Sequence, residues 1–458
     1  MLKHISKWQK NPWKPKKFVY EPTDEKLTAS AGLGPLIDIF CASPQFEEFK
    51  KCLPEHIGNS SYSTEQLALT FLVGFWYGHD SLDDLEQFED DPSVEEKLGG
   101  LATAKTFGNY LREFTEQNTN DLRQFLTRQA ISCRRQVGHK GSMTIDMDST
   151  FHEQSGKLME GLEKNRDGLI GLDSLLTFDE RGYAYDMELR SGATFSSEGA
   201  ANMLSKVSSE LYDRLMVQHY IRMDSAFCRE DFIRVALSKN LKGTITAHGN
   251  TKWMEHLSEV TNWKPWVYTD EEILEAKKKE KKLAQIDVGY WMYEPGWAPG
   301  VMFPIIIKRT FKEQEQSSLF EDGKYKYWGV LSLMGIYPKT PQEILEFHQG
   351  RGNMENFIRE GKINYDLKHF PCQSLRANHV YGLLALVAHN FLRAIAHLTN
   401  PEKPHFAKKI RQRLIYLPGK YLERSRQLTM RIPIQYYKEV QTMLERWAAT
   451  SDPPRLPA

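Results

Sequence analysis

The fold is decided by the stretch Ser142-Met-Thr-Ile-Asp146-Met-Asp148-Ser-Thr150, where the apolar residues change from a spacing of about 3.6 to about 2 residues. This alternation predicts a β-strand on which Asp146 and Asp148 point to the same face. A carboxylate buried on a sheet is costly unless a metal ion or another partner holds it. The strand is therefore a candidate metal site, and its pattern leaves open which of the two aspartates is the ligand.

The chain after this strand predicts an α/β domain. The expected elements are two strands, a helix, a strand, a helix and a strand, over Leu169–Phe178, Tyr183–Arg190, Ser196–Met216, Gln218–Met223, Arg229–Lys239 and Gly243–His248. This order resembles the RNase H-like fold of retroviral-integrase-type enzymes, in which one acid lies on the first strand and a second follows the fourth. Asp224 directly follows the fourth strand of the series.

Residues 1–140 are predicted to be an α-helical N-terminal domain, because apolar residues recur every three or four positions from Ala29 to Arg135. That this domain binds DNA is a hypothesis that depends mostly on the motifs further along the chain. Within it, residues 81–114 predict three short helices, a pattern typical of helix–turn–helix modules. An ordinary helical packing domain shows the same pattern, so this alternative stays open. The residues expected to face DNA on the third helix are Lys105, Asn109 and Arg112.

Residues 250–324 interrupt the α/β core, which is therefore predicted in two parts, 141–249 and 325–400. The interruption holds five of the ten tryptophans of the chain and two β-like runs, Gln285–Tyr293 and Val301–Phe311. It is predicted to be a Trp-rich β insertion. Most of its tryptophans are expected to form its own core.

A group of polar residues lies in the second part of the core, at His348-Gln-Gly-Arg351-Gly-Asn-Met-Glu355-Asn-Phe-Ile-Arg-Glu-Gly-Lys362. On a helix, offsets of four and seven residues return to nearly the same side. His348, Arg351 and Lys362 are therefore expected to lie in one row with Glu355. A carboxylate among cations suits a site where a metal ion and a phosphate meet. A solvated helix face with salt links is the alternative.

The spacing His-x2-Arg-x3-Glu-x6-Lys resembles the signature around the third acid of bacterial insertion-sequence DDE transposases. Members of that family usually have Tyr where this chain has His348. Asp148-Ser-Thr150 resembles the Asp-x-Thr of the family's first-acid strand, and Arg222-Met-Asp224-Ser-Ala-Phe227 resembles its second-acid motif. The three motifs occur in the family's order, and the resemblance covers roughly residues 80–440.

The resemblance implies an RNase H-like catalytic core with a β-rich insertion and a helical N-terminal domain. It implies that Asp148 (or Asp146), Asp224 and Glu355 bind two Mg²⁺ ions, for which Mn²⁺ can substitute. The enzyme would cleave at the terminal inverted repeats of an insertion sequence and join the 3′ ends to target DNA by in-line phosphoryl transfer. The residues that would clamp phosphates beside the cleaved bond are His348, Arg351 and Lys362.

The implied partner is double-stranded DNA, both the inverted repeats and the target, bound by a homodimer in a synaptic complex. An exposed tryptophan of the insertion can stack on a flipped base near the cleaved end, and Trp297 is taken as the candidate DNA contact, although the sequence leaves open which tryptophan stacks. Residues 401–458 form a basic C-terminal region that is typical of a surface tracking DNA, although a basic rim balancing an acidic segment is the alternative. The basic residues taken as DNA contacts there are Lys408, Lys409, Arg411 and Arg413.

Composition limits the other classes of protein. The 458 residues carry 60 Lys and Arg against 60 Asp and Glu, so a uniformly basic coat for nucleic acid is excluded. The five scattered cysteines form no CxxC pair, which indicates reduced thiols. The most apolar run, Tyr381–Leu398, contains polar residues and is expected to be a core helix, so no membrane contact is expected. The expected location is bacterial cytoplasm, in association with the nucleoid.

Two other functions compete with the transposase. A nuclease of the same fold needs the three acids but hardly needs a helical N-terminal domain or a Trp-rich insertion. A catalytically inactive, transposase-derived DNA-binding protein tolerates the loss of an acid. All three acids are present here, which favours the enzyme.

Overall fold

The computed structural model describes residues 20–55, 61–155, 158–215, 219–311, 324–424 and 427–450. Over these residues the chain has a mixed α/β architecture, with a ten-stranded sheet, a three-stranded sheet and α-helices packed against them.

The part of the chain before the large sheet is helical, as predicted. After the short strand β1 (Leu27–Thr28), its described helices are α1 (Leu33–Cys41), α2 (Pro44–Lys50), α3 (Thr64–Tyr77), α4 (Pro92–Leu98), α5 (Ala104–Glu113) and α6 (Glu116–Gln136). Residues 81–114 contain a 3₁₀ stretch, Asp83–Asp90, followed by α4 and α5. Gly99, at φ +71°, ends α4, and the Thr103 side chain caps α5 by accepting from Thr106 N.

The large sheet begins with the predicted strand that carries Asp146 and Asp148. The strands and helices of this first part are β2 (Met143–Glu153), β3 (Glu163–Lys164), β4 (Ile170–Asp179), β5 (Ala184–Ser191), α7 (Ala200–Leu215), β6 (His219–Met223), α8 (Glu230–Ser238) and β7 (Lys242–Thr246). β4 is antiparallel to both β2 and β5, whereas β6 is parallel to β2 and to β7. The spatial order β5-β4-β2-β6-β7 therefore puts β2, the strand of the candidate acids, in the centre.

The insertion extends this same sheet. Its elements, and the strand that follows it, are β8 (Lys264–Pro265), α9 (Asp270–Lys278), β9 (Ile286–Tyr293), β10 (Phe303–Phe311) and β11 (Tyr325–Ser332). β11 pairs antiparallel with β7, and β10, β9 and β8 follow outward in turn. Three consecutive residues of β10, Ile305 to Ile307, are fully buried, so both faces of the sheet are covered at this point. The insertion is thus joined to the core by backbone hydrogen bonds.

The third candidate acid lies on helices that follow β11. These are α10 (Pro341–Gln349), a 3₁₀ turn (Gly350–Gly352), α11 (Asn353–Asn364) and α12 (Leu375–Thr399). α12 packs against α6, α3 and β5. By length and composition it could cross a membrane, but 94% of its most apolar window is buried inside the protein. It is the core helix that the run Tyr381–Leu398 predicts.

The C-terminal region returns to the N-terminal helices. Its elements are α13 (Ala407–Ile410), a π-helical turn (Arg411–Ile415), β12 (Gly419–Arg424), β13 (Gln427–Arg431) and α14 (Ile434–Thr450). β12 pairs with both β13 and β1, so segments nearly 400 residues apart share the three-stranded sheet. Local sequence patterns do not show pairing between such distant segments.

Candidate active site

Two neighbouring parallel strands, β2 and β6, bring the first two predicted acids together. Asp146 of β2 is paired with Arg222 of β6. Asp148 and Asp224 each lie two residues further along, and in parallel strands equal steps lead to the same edge of the sheet. The two aspartates therefore lie side by side, although 75 residues separate them in the chain.

The guanidinium of Arg351 lies between these two carboxylates. Its Nη2 atom is 2.8 Å from Asp148 Oδ2 and 3.7 Å from Asp224 Oδ2. Asp224 is oriented by its own chain, because its Oδ1 accepts a hydrogen bond of 2.7 Å from Ala226 N. The side chain of Asp148 is 22% exposed and that of Asp224 is 40% exposed, so the pair is open to solvent.

Glu355, the third candidate acid, lies close enough for its charge to affect Asp148. It lies in the first turn of α11 and is exposed. Burial raises the pKa of Asp148 to about 6, Arg351 opposes this shift, and the negative charges of Asp224 and Glu355 add to it. The three acids thus share one electrostatic environment, although they come from a strand, the end of another strand and a helix.

The polar stretch around Glu355 does not form the single helical row that its spacing predicts. The 3₁₀ turn Gly350–Gly352 separates α10 from α11. Such a turn advances about 120° per residue, so residues before and after it lose their common side. A Cβ atom at Gly350 would lie 2.0 Å from Arg222 Nη1, so only glycine fits against that guanidinium without a shift.

His348 faces the sheet, which corrects its predicted role as a phosphate clamp. Its side chain is buried, and its ring nitrogens lie 2.8 Å from Thr244 Oγ1 and 3.0 Å from Thr246 Oγ1. Burial lowers the pKa of His348 to about 4, with Arg351 and Arg222 adding to the shift. The ring is therefore neutral near pH 7 and fastens the end of α10 to β7.

Lys362 connects the helix of Glu355 to the strand of Asp148. Its Nζ donates a hydrogen bond of 2.7 Å to Phe151 O, on β2. An ammonium group has two further N–H donors. The predicted phosphate contact of Lys362 therefore stays a prediction beside this structural one.

Asp146 is bound by Arg222 and not by Arg351, which argues against the prediction that Asp146 is a metal ligand. Arg222 binds both of its oxygens, with Nε 2.9 Å from Oδ1 and Nη2 2.6 Å from Oδ2. The Asp146 side chain is 1% exposed. Arg222 also donates from Nη1 to Phe347 O at 3.3 Å, which links β6 to α10. The carboxylate of Asp146 is thus engaged by Arg222, whereas that of Asp148 is more exposed.

The predicted DNA contacts of α5 and the C-terminal region lie mostly on the surface. Lys105, Asn109 and Arg112 of α5 are exposed, and Arg112 Nη2 donates to Asn109 Oδ1 at 2.5 Å. Lys408 and Lys409 are also exposed. Arg413 is exposed and pairs with Glu439 at 2.8 Å.

Arg411 is an exception, and its predicted DNA contact is corrected. The residue is buried, with Nε 2.9 Å from Trp76 O and Nη2 2.8 Å from Phe75 O. It also donates to the Asn364 carbonyl at the end of α11. Arg411 therefore joins α3, α11 and the C-terminal region, and its donors do not face solvent.

A tryptophan that the sequence does not single out lies beside the polar stretch. Trp297 is half-buried, with the guanidinium of Arg234 4.8 Å from its ring centre. Trp328 of β11 instead lies beside His348, with 5.5 Å between ring centres. The feature of the sequence that could have identified Trp328 is its position in β11, the strand that leads to the polar stretch.

A row of lysines crosses the insertion strands on the face that carries Trp328. Cross-strand partners point to the same face, and Lys308 is paired with Trp328 and with Val288, which is also the partner of Lys264. Lys326 lies two residues before Trp328 and shares its face. None of these lysines forms an ion pair with a described residue. We call Lys264, Lys308 and Lys326 the lysine row.

Comparison with known proteins identifies the class. Residues 27–449 match the family described as transposase DDE domain group 1. A cryo-electron microscopy structure of the piggyBac transposase synaptic complex with hairpin DNA is similar, with 12% identity, a TM-score of 0.41 and coverage of 95% of this chain and 85% of that chain. No curated protein sequence matches the chain.

Because the family match covers most of the chain, the protein belongs to the transposase DDE domain group 1 family. It is a DDE transposase, an enzyme of a family that binds DNA and performs the DNA cleavage and strand transfer of transposition. DDE transposases generally use a divalent metal ion.

The candidate acids fit such an ion by their chemistry. Asp148, Asp224 and Glu355 offer only oxygen atoms, which hard divalent cations prefer. Within the described parts of the chain, no cluster of three His, Cys, Asp or Glu side chains is already arranged to hold a metal ion. The two aspartates do already share one cation, the guanidinium of Arg351.

Proposed function

We propose that the protein cleaves DNA at the terminal inverted repeats of a bacterial insertion sequence and joins the 3′ ends to target DNA. The observation that carries this proposal is the meeting of Asp148 and Asp224 on Arg351 beside β2 and β6, with Glu355 near enough to raise the pKa of Asp148. Acids and a guanidinium in one place suit phosphoryl transfer, in which negative charge develops on the oxygens around phosphorus. A cytoplasmic, nucleoid-associated location is part of the proposal.

We further propose that β5, β4, β2, β6 and β7 form an RNase H-like core of the retroviral-integrase type. Three antiparallel strands followed by two parallel ones, with α7 and α8 in the connections, support this assignment. The places of the acids support it as well: Asp148 on the first strand, Asp224 after the fourth and Glu355 on a later helix.

In this proposal Asp148, Asp224 and Glu355 hold two Mg²⁺ ions, for which Mn²⁺ can substitute. Such ions, when bound, activate the attacking hydroxyl group and stabilise the leaving 3′ oxygen. The rest of the site keeps the acids in place. Ala226 N orients Asp224, and Lys362 holds α11 against β2. Fixed positions matter because a small displacement of a catalytic group costs a large part of the rate.

The DNA path in this proposal runs from the acids along the lysine row. The row lies on the sheet face that α10 covers, because Val330, two residues from Trp328, packs with Ile344 and Leu345 of α10. The acids lie on the same face, since Arg222, the partner of Asp146, reaches the carbonyl of Phe347 at the other end of α10. Unpaired lysines bind phosphates by releasing counterions.

The exposed residues of α5 would read the inverted repeat, and Lys408 and Lys409 would contact its phosphates. A homodimer that bridges two element ends in a synaptic complex completes the proposal.

The test uses a labelled duplex that spans the boundary of the element carrying the gene. Wild-type protein and the Glu355→Gln variant are incubated with it in Mg²⁺. Glu346→Gln, at an exposed residue of α10, is the matched control. Cleavage at the boundary by wild type and control, with a loss of about 10³-fold for Glu355→Gln, is expected. Equal cleavage by Glu355→Gln contradicts the site, and binding without cleavage by all three proteins contradicts the activity.

A further inference from the structure

The contact of Arg351 with two candidate metal ligands has a chemical consequence. Its Nη2 lies 2.8 Å from Asp148 Oδ2 and 3.7 Å from Asp224 Oδ2. A divalent cation bound by the two aspartates needs the same carboxylate oxygens, and it repels a guanidinium held against them. Arg351 and the metal ion therefore compete for the position between the two carboxylates.

The hydrogen bonds of Arg351 are incomplete. Its Nε atom is buried and has no hydrogen-bond partner among the described residues. Arg222, by contrast, donates from Nε, Nη1 and Nη2 to fixed acceptors. A guanidinium has five N–H donors in a planar fork that matches the oxygens of a phosphate. A DNA phosphate would offer Arg351 the acceptors that its present position lacks.

The backbone around Arg351 differs from that of a continuous helix. The residue is the middle one of the 3₁₀ turn between α10 and α11. Short 3₁₀ stretches within helical segments are often hinges. On one side Gly350 packs against Arg222, whereas a Cβ atom at Gly352 would meet no atom within 4 Å. The turn is thus anchored at its start and has free space at its end.

We propose that Arg351 competes with divalent metal ions for Asp148 and Asp224, and that a DNA phosphate draws it away, so that DNA binding and metal binding strengthen each other. The inference rests on the proposed function, because it takes these aspartates as metal ligands. Coupling of this kind is reciprocal, so DNA and metal raise each other's affinity by the same factor. The protein would hold metal weakly until DNA occupies the site.

The experiment measures binding of Mn²⁺ to the full chain by electron paramagnetic resonance, with and without the boundary duplex. The variants are Arg351→Ala, Arg351→Lys and the matched control Arg359→Ala, at an exposed residue of α11. Without DNA, Arg351→Ala is expected to bind Mn²⁺ at least about tenfold more tightly than wild type, a typical size for coupling between two ligands. Arg359→Ala is expected to match wild type. A boundary duplex with a non-cleavable linkage at the cut site is expected to tighten Mn²⁺ binding to wild type but not to Arg351→Ala.

Other outcomes separate this inference from the proposed function. If Arg351→Ala and wild type bind Mn²⁺ equally while Asp148→Asn binds it weakly, the metal site stands and the competition is overturned. If Asp148→Asn binds as wild type does, the metal site itself is wrong and the inference fails with it. Thermal melting checks the fold of each variant. If Arg351→Ala unfolds at a lower temperature than wild type, Arg351→Lys takes its place in the test. Equal Mn²⁺ binding by Arg351→Lys and wild type, both with and without DNA, would then overturn the proposal, because one ammonium group cannot reproduce the planar fork of a guanidinium.

Discussion

Two aspartates that lie two residues apart on β2 are each paired with an arginine, but the two pairs differ in exposure and in geometry. Asp146 is 1% exposed and is bound through both oxygens by Arg222 of the neighbouring strand. Asp148 is 22% exposed and shares Arg351 with Asp224. The pKa of each aspartate is raised to about 6, chiefly by burial. The pKa alone therefore does not distinguish the two acids.

The difference shows how geometry assigns a role to a carboxylate. A buried acid with both oxygens bonded to one arginine offers almost no exposed surface to a ligand, and breaking such a pair is costly. An acid that is partly exposed, beside two other acids and a shared arginine, is available for binding and repels its neighbours unless a cation is present. We therefore assign Asp146 to the structure and propose that Asp148 acts in the reaction.

The largest expected effect comes from replacing one carboxylate oxygen of Asp148 by an amide nitrogen. Asp148→Asn is expected to reduce Mg²⁺-dependent cleavage of the boundary duplex by about 10³-fold or more, because the negative charge that faces the metal is removed. Its melting temperature is expected to stay near that of wild type. Single-turnover cleavage and thermal melting provide the two readouts. Full cleavage by Asp148→Asn would reverse the assignment of the two aspartates.

Removing the structural partner is expected to affect folding first. Asp146→Ala leaves Arg222 buried without its counterion, which typically costs about 3–5 kcal/mol of unfolding free energy. Urea unfolding followed by circular dichroism measures the loss. The double variant Asp146→Leu with Arg222→Met is expected to recover part of it, since apolar side chains of similar size often replace a buried pair well. A fully stable Asp146→Ala variant would show that the pair is dispensable.

The same contrast, between charged side chains that are paired within the protein and those that are not, extends to the lysines. Replacing the lysine row (Lys264, Lys308 and Lys326) by Gln is expected to reduce the salt dependence of DNA binding by about 0.9 per lost phosphate contact. The matched control replaces three lysines that form ion pairs with acids, Lys50, Lys97 and Lys279. Fluorescence anisotropy at several salt concentrations gives the slopes. Equal slopes for the two triple variants would remove the lysine row from the DNA path.

The smallest expected effect concerns Glu360, a buried acid whose Oε1 accepts from Ala407 N at 2.7 Å. Burial raises the pKa of Glu360 from 4.5 to about 7. Burial favours the protonated form of Glu360. The contribution of this residue to the free energy of unfolding is therefore fully present below pH 4.5 and is lost as the pH rises through about 7. Glu360→Gln is therefore expected to be more stable than wild type at pH 8, by about 1–2 kcal/mol, and to lose this advantage near pH 5. Melting at both pH values tests it, and a constant difference would contradict the titration.

Local sequence patterns predict much of the fold, including the helices up to Gln136, the alternating strand around Asp148 and the core helix α12. Other features depend on distant partners. The choice between Asp146 and Asp148 depends on Arg222, and the extension of the sheet depends on the pairing of β11 with β7. Alternation gives the face of a residue but does not give its neighbour on the next strand.

The predicted role of two residues fails for a related reason. His348 and Arg411 have the residue type and position expected of DNA contacts, but both are buried against backbone or hydroxyl groups. A basic side chain at the start or end of a helix can cap carbonyl groups as readily as it can face solvent. The sequence around Arg411 shows the positive charge of this residue. It does not show the carbonyl groups at the ends of α3 and α11 to which Arg411 donates hydrogen bonds.

The most direct test of the central claim uses the purified protein bound to the boundary duplex, with Fe²⁺ in place of Mg²⁺. Ascorbate and hydrogen peroxide are added, so that radicals formed at the metal cut the nearby backbone. Mass spectrometry then locates the cuts. We predict cuts near Asp148, Asp224 and Glu355 that excess Mg²⁺ suppresses and that Asp148→Asn abolishes. Cuts confined to other acidic segments, such as Asp83–Asp90, or cuts that persist in Asp148→Asn, would contradict the account.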